Sequence, residues 1–443
     1  METPTTRYAR SPDGTFIAYS VSGDGPVDLV VVGGYTTHLE LTWQDAPMAL
    51  TLQSWGRVGR VIMFDKRGCG LSDRTSPLTD LDTRAQDLLA VMDAAGSERA
   101  ILVGEHEGGA LTAFVAATYP ERVRGLVWWG GQAKNALAPD NPDGVSEEEQ
   151  RASLADIERR WGTMEFTRDF MRADHSEELV DDQAFMEEMA RWFRFSASPA
   201  EAMRFDQMWW ETDVRSALPL IQVPTLIVTP AYMQERAATT TAAIAGADLQ
   251  VLEGTSNLAA RAPGFRDAVI GFAERIRDEE AELDRVLATV LFTDIVDSTA
   301  TAAVMGDAKW RALVDEHDRI AKGLISRFRG EYRKSTGDGL MATFDGPARA
   351  VRCAQAFVEA VKPLGIEVRT GAHTGEVTFG DNDLAGIGVH VAARVAGLAG
   401  TSEVWASSTV KDLTAGSGLT FADAGEHELK GVPDTWHLYR VVG

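Results

Sequence analysis

The chain has 443 residues, 44% hydrophobic and 25% charged, with a formal net charge of −23. That length calls for two or three domains, and the composition excludes a disordered or fibrous class. The acidity excludes bulk attraction to nucleic acid or to an anionic membrane, so any anionic ligand needs a local cluster of cations or metal ions.

Residues 1–288 carry 27 Lys+Arg against 46 Asp+Glu, and residues 289–443 carry 16 against 20, so the N-terminal part holds most of the charge. No apolar run approaches the roughly 20 residues of a membrane span, and METPTTRYARSPDGT lacks the apolar core of a secretory signal. Cys69 and Cys353 offer no disulfide framework. A cytoplasmic protein without membrane or nucleic-acid partners is expected.

In chain order, VDLVVVGG (27–34), GRVIMFD (59–65) and RAILVG (99–104) read as buried strands, and TRAQDLLAVMDAAG (83–96) reads as a helix closed by glycine. Such alternation implies a parallel sheet covered on both faces. Residues 134–218 turn acidic, helical and aromatic, as in RWFRF (191–195) and MWW (208–210). Strands resume at VPTLIVT (223–229) and ADLQVLEG (247–254). A helix over 265–286 ends in charge, and a second unit begins at LATVLFTDIVDST (287–299).

GEHEGG (104–109) lies where a strand meets a helix. It has the form of the G-x-S-x-G elbow with His106 in the serine's place. With FDKRGCGLSDR (64–74) and VVGGYTTHLELTW (31–43), the segment resembles an α/β-hydrolase, and 134–218 resembles that family's helical cap. The resemblance implies an α/β domain over 1–275. It also implies that the chemistry is lost. Besides His106, the acid's segment reads PAYMQERA, with Glu235 the nearest carboxylate, and Asn257 stands where the catalytic histidine belongs. A serine triad needs nucleophile, base and orienting acid together. The expected remnant is a pocket beneath the cap for a small apolar ligand, walled by His106, Gly34, Tyr35 and Asn257. Trp192, Phe195, Trp209 and Trp210 in the cap either line that pocket or are plain core. His106 with Glu105 or Glu107 could also form an acid–base site, or with Glu107 and His38 a metal site, although that spacing matches no recognised zinc pattern.

Further along, VLFTDIVDST is an apolar strand that delivers Asp294, and KSTGDGLMATF (334–344) reads as a hairpin with Asp338 at its tip. Carboxylates on neighbouring strand ends suit hard divalent ions, which can activate an attacking oxygen and steady a leaving phosphate. These segments, with DLAGIGVHVAARV (383–395) and HELKGVPDTWHLYRV (427–441), resemble class III nucleotide cyclases from about residue 289 to the end. The resemblance implies an α+β, ferredoxin-like domain. Residue by residue, it implies that Asp294 and Asp338 hold two Mg²⁺ or Mn²⁺ ions per site, and that Lys334 and Asp383 read the purine. Arg394 would neutralise the transition state, and Lys430 would meet the phosphates. His390 replaces the family's asparagine, which positions ribose and phosphate. The Lys–Asp pair suits adenine, so ATP is the implied substrate. The family's site also implies a homodimer, with the metal aspartates from one chain and Lys334, Asp383 and Arg394 from the other. His317 and His373 read as structural or surface histidines.

The expected whole is a degenerate α/β-hydrolase-fold domain (1–275), a helical connector (276–288) and a cyclase domain (289–443). Its expected activity is conversion of ATP to cyclic AMP and pyrophosphate, regulated by a ligand in the N-terminal domain. The alternatives are an N-terminal domain that retains a non-serine activity, and a sensor whose cyclase domain is inactive.

Overall fold

The structure is a computed structural model that describes residues 3–74, 80–254, 258–259, 262, 264–283, 285–379 and 384–442. Asn257 and Asp383 lie outside the described residues. The chain divides into two compact units, Met1–Asp278 and Glu279–Gly443.

The first unit is built on strands β1 (Arg7–Arg10), β2 (Phe16–Ser22), β3 (Val27–Val32), β4 (Gly59–Phe64), β5 (Ala100–Glu105), β6 (Val123–Trp129), β7 (Thr225–Pro230) and β8 (Asp248–Leu252). Their order is β1-β2-β4-β3-β5-β6-β7-β8, antiparallel at the β1-β2-β4 edge and parallel from β4 onward. The interior strands are apolar throughout because helices cover both faces. One face packs helices α3 (Leu81–Ala94), α4 (Glu107–Thr118) and α9 (Gln234–Ala242). The other packs α2 (Ala46–Trp55), which follows the short α1 (Leu39–Thr42), together with α10 (Phe265–Leu283). The segment between β6 and β7 carries helices α5 (Glu147–Arg160), α6 (Met164–Ala173), α7 (Gln183–Ser196) and α8 (Pro199–Glu211). Capping boxes at Ser146/Glu149 and Ser198/Glu201 start α5 and α8 by satisfying backbone N–H groups that no helix turn precedes. This α/β layering with a helical insertion is the expected architecture.

The second unit contains β9 (Arg285–Ile295), α11 (Ser298–Met305), α12 (Asp307–Arg327), β10 (Gly330–Ser335), β11 (Leu340–Phe344), α13 (Pro347–Val361) and β12 (Val368–Phe379). It continues with β13 (Leu384–Ala385), α14 (Ile387–Leu398), β14 (Val404–Ser407), α15 (Ser408–Leu413), β15 (Thr420–Glu428) and β16 (Thr435–Val442). The sheet runs β10-β11-β9-β12-β14-β16-β15, with β13 paired to β12. Helices α12 and α13 pack on one face and α14 on the other, an α+β arrangement.

One expected boundary moves. The helix anticipated to residue 286 ends at Leu283, and Arg285 already belongs to β9. The cause is non-local: β12 is long enough to pair Val377 with Val286 and Glu376 with Leu287, which draws the connector into the sheet. Among the described residues, no helix is long and apolar enough to cross a membrane.

Candidate functional site

In the first unit, β5 ends at Glu105 and α4 begins at Glu107, so His106 alone makes the turn, with φ 48° and ψ −110°. A non-glycine residue in this region costs about 1–3 kcal/mol and persists only where its surroundings enforce it. Here they do. The His106 N–H donates to the Trp129 carbonyl at 3.0 Å, and Trp128 Nε1 donates to the His106 carbonyl at 3.2 Å. Gly108 is required by close approach, since a Cβ there would collide with the Val32 carbonyl. The nucleophile elbow is thus intact in backbone geometry and carries an imidazole.

His106, Gly34 and Tyr35 share the wall of a cavity of about 510 Å³ between sheet and cap, a size suited to a small molecule. Trp192 and Trp209 line it as well. Trp210 and Phe195 do not, so of the two roles the sequence left open for each, pocket wall falls away. Trp210 Nε1 donates to the Val145 carbonyl at 2.8 Å, and Phe195 is 50% exposed with Arg191 over its ring. The reason is helical phase. Phe185, Met189 and Trp192 recur every three to four residues along one face of α7, which Phe195 leaves. Glu235 is exposed on α9.

Below the elbow lies a buried ionic cluster that the sequence did not reveal. Lys66 Nζ sits 2.6 Å from Glu107 Oε2 and donates to the carbonyls of Gly34 and Tyr35, and Arg84 pairs with the same carboxylate. Burial pulls the Lys66 ammonium below its ordinary range, down to about 7, while nearby Cys69 and Glu105 oppose that shift. The cluster spends Glu107 on structure, which removes it as a free base or metal ligand. Among the described residues, no group of three or more His, Cys, Asp or Glu side chains is placed to hold a metal ion, so the His106–Glu107–His38 site is not formed. Glu105, half-buried at the cavity wall, is pushed up to about 7 by desolvation, with nearby Lys66 opposing. The one sequence signal for Lys66 was its place at the C-terminal end of β4, where parallel sheets gather functional residues.

In the second unit, Leu340 of β11 pairs with Thr293 of β9. This register brings the turn that carries Asp338 against the end of β9 that carries Asp294. Gly339 allows it, since a Cβ there would collide with the Thr293 carbonyl. Gly337, at φ 104°, turns the hairpin tip. Both aspartates are half-buried. Arg369 of β12 stands opposite Asp294 and donates to its Oδ2 through Nε at 2.8 Å and through a second guanidinium nitrogen. The donor set fits a hard divalent ion: two carboxylates leave room for the waters and phosphate oxygens that Mg²⁺ retains.

Lys334 is exposed on β10, on the strand that leads into the Asp338 turn. His390 and Arg394 lie one turn apart on α14, both exposed. Arg394 Nε donates to the Lys430 carbonyl at 3.0 Å, which joins those two positions. Among the described residues, neither Asp294 nor Asp338 has a bond or ion pair with His390, Arg394 or Lys430. His373 is buried against Trp436 and Ser407, with burial holding it down to about 4, and His317 is buried against Phe357. Both are packing residues.

Comparison with known proteins divides the chain the same way. Residues 29–229 match the family model described as alpha/beta hydrolase fold, and residues 282–443 match that described as Adenylate and Guanylate cyclase catalytic domain. A protein of Rhizobium meliloti named "Putative adenylate cyclase 3" is 29% identical over 164 residues, 35% of this chain and 28% of that one. A non-heme chloroperoxidase of Streptomyces lividans is 39% identical over 101 residues, 22% of this chain and 37% of that one. The chain thus spans well under half the length of either relative. Among solved structures, a bromoperoxidase from Bacillus anthracis superposes with a TM-score of 0.51 at 20% identity, covering 62% of this chain and 98% of that one. At that identity the likeness speaks for the fold alone.

Proposed function

We propose that this chain, an α/β-hydrolase-fold domain joined to a class III cyclase catalytic domain, converts ATP to cyclic AMP and pyrophosphate in the cytoplasm. The observation that carries the reading is the β9–β11 register, which gathers Asp294 and Asp338 at one strand end within a domain of cyclase sequence.

When bound, two Mg²⁺ or Mn²⁺ ions would lower the pKa of the ribose 3′-hydroxyl and steady the departing pyrophosphate. Asp294 and Asp338 would hold them. Lys334 donates to a ring nitrogen of adenine, and Asp383 accepts from its amino group, a polar pair that favours ATP over GTP. Arg394 neutralises charge that builds on the α-phosphate, and Lys430 holds the outer phosphates. His390 donates one hydrogen bond in the asparagine's place. Two chains complete each site, with Asp294 and Asp338 from one and Lys334, Asp383 and Arg394 from the other.

The N-terminal domain acts as a ligand-binding regulator rather than a serine hydrolase, because the elbow geometry persists while its nucleophile is replaced. A ligand there changes turnover only as far as it prefers one arrangement of the dimer.

The test is cyclic AMP formation from ATP and Mn²⁺ by the purified chain, beside its Asp294→Ala variant. The reading predicts turnover that the substitution abolishes and a preference for ATP over GTP. Equal turnover in the variant, or none in the parent, rejects it.

A further inference from the structure

We infer that the cavity under the cap selects a small organic cation, an aromatic or alkyl amine or a quaternary ammonium compound, held between carboxylate and aromatic faces. This rests on the reading of the cavity as a ligand site.

The argument starts from the charges on the wall. Asp45, Glu105, Glu107, Asp174 and Asp206 reach it, while among the described residues no Lys or Arg does. Four of these carboxylates are engaged, Asp174 among them. Asp45 caps α2 through the Met48 N–H, Asp206 accepts from Gln150 at 3.0 Å, and Glu107 is held by Lys66 and Arg84. Both buried cations thus lie behind the wall, paired with Glu107, and Lys66 also acts on Glu105 from there. Glu105 is the carboxylate at the cavity floor, beside the fixed His106 turn.

The second line is aromatic. Tyr35, Phe170, Trp192 and Trp209 present ring surface to the same space. An ammonium over such faces gains from the ring quadrupole, and it gains more where water is excluded. An anion would meet these carboxylates and the negative faces of rings without a Lys or Arg on the wall to offset them. A third observation is polar: Thr36 lines the cavity, is 7% exposed, and its hydroxyl has no hydrogen-bond partner among the described residues. The N–H of a protonated amine would satisfy it, a bond that a quaternary ammonium does not make. The acidity of residues 1–288 adds a long-range field that favours a cation's approach.

Isothermal titration of the full chain at pH 8, where Glu105 is ionised, with three matched probes tests this. The probes are phenethyltrimethylammonium, its uncharged carbon isostere 3,3-dimethylbutylbenzene, and 3-phenylpropionate. The ammonium is expected to bind about tenfold tighter than the isostere or better, with the anion weakest. In Glu105→Gln, checked for an unchanged circular dichroism spectrum, that advantage is expected to shrink about fivefold, with the isostere unaffected. Equal or tighter binding of the isostere or the anion overturns the cation reading while leaving the cavity a ligand site. An advantage that survives Glu105→Gln undiminished overturns the role of Glu105. Binding by none of the three overturns the ligand-site reading itself.

Discussion

Asp294 and Arg369 face each other across the antiparallel pair β9–β12, and the guanidinium donates twice to a single carboxylate oxygen, Oδ2. That leaves Oδ1 open and fixes its direction. Arg369 therefore acts as a positioning residue for the proposed metal site. It holds the carboxylate in place and moderates its charge, as partners of metal ligands commonly do.

Replacing it separates those effects. Arg369→Met is expected to lower turnover at saturating Mn²⁺ by about 10- to 100-fold, with Arg369→Lys intermediate because ammonium lacks the planar fork. Cyclic AMP formation across a Mn²⁺ titration measures this. Turnover within twofold of the parent would show that Asp294 needs no such support.

Glu105 makes stability depend on pH. Burial raises its folded pKa to about 7, above the ordinary value of 4.5, so between those values the folded chain holds a proton that the unfolded chain releases. Stability must then fall as pH rises through that window. Discounting for its partial exposure, the parent is expected to lose about 1–2 kcal/mol relative to Glu105→Gln between pH 5 and pH 8. Urea unfolding of both proteins across that range checks it; parallel curves would mean that the carboxylate stays ionised at the cavity wall.

The elbow makes a third case. His106→Ser restores the serine in a turn whose backbone is already shaped for it. Glu235, the nearest candidate acid, is exposed on α9, and Asn257 supplies no base. A serine without base and acid is a weak nucleophile. Hydrolysis of p-nitrophenyl acetate by His106→Ser is expected to remain at the parent's background rate. A clear gain would reveal a base elsewhere in the cavity.

What the sequence made legible was local. Short apolar runs between glycines marked the strands, and two glycines around His106 marked the elbow. Asp338 between glycines marked the hairpin tip. What stayed hidden depends on partners distant in sequence. Arg369 and Asp294 are 75 residues apart, and strand register alone joins them. Lys66, Arg84 and Glu107 meet only because β4, α3 and α4 converge. The connector's true end follows from the reach of β12, a tertiary effect that helix periodicity does not register. The place of Phe195 stayed open because composition gives an aromatic count, whereas helical phase decides which rings face the cavity.

The central claim is that two chains build each cyclase site. Asp294→Ala and Arg394→Ala are each expected to be inactive alone. In a two-fold dimer with shared sites, a mixed pair of these variants contains one intact site. An equimolar mixture, allowed to exchange subunits, is predicted to regain about a quarter of the parent's cyclic AMP formation. A mixture that exchanges subunits and stays inactive would place each site within one chain and contradict the account.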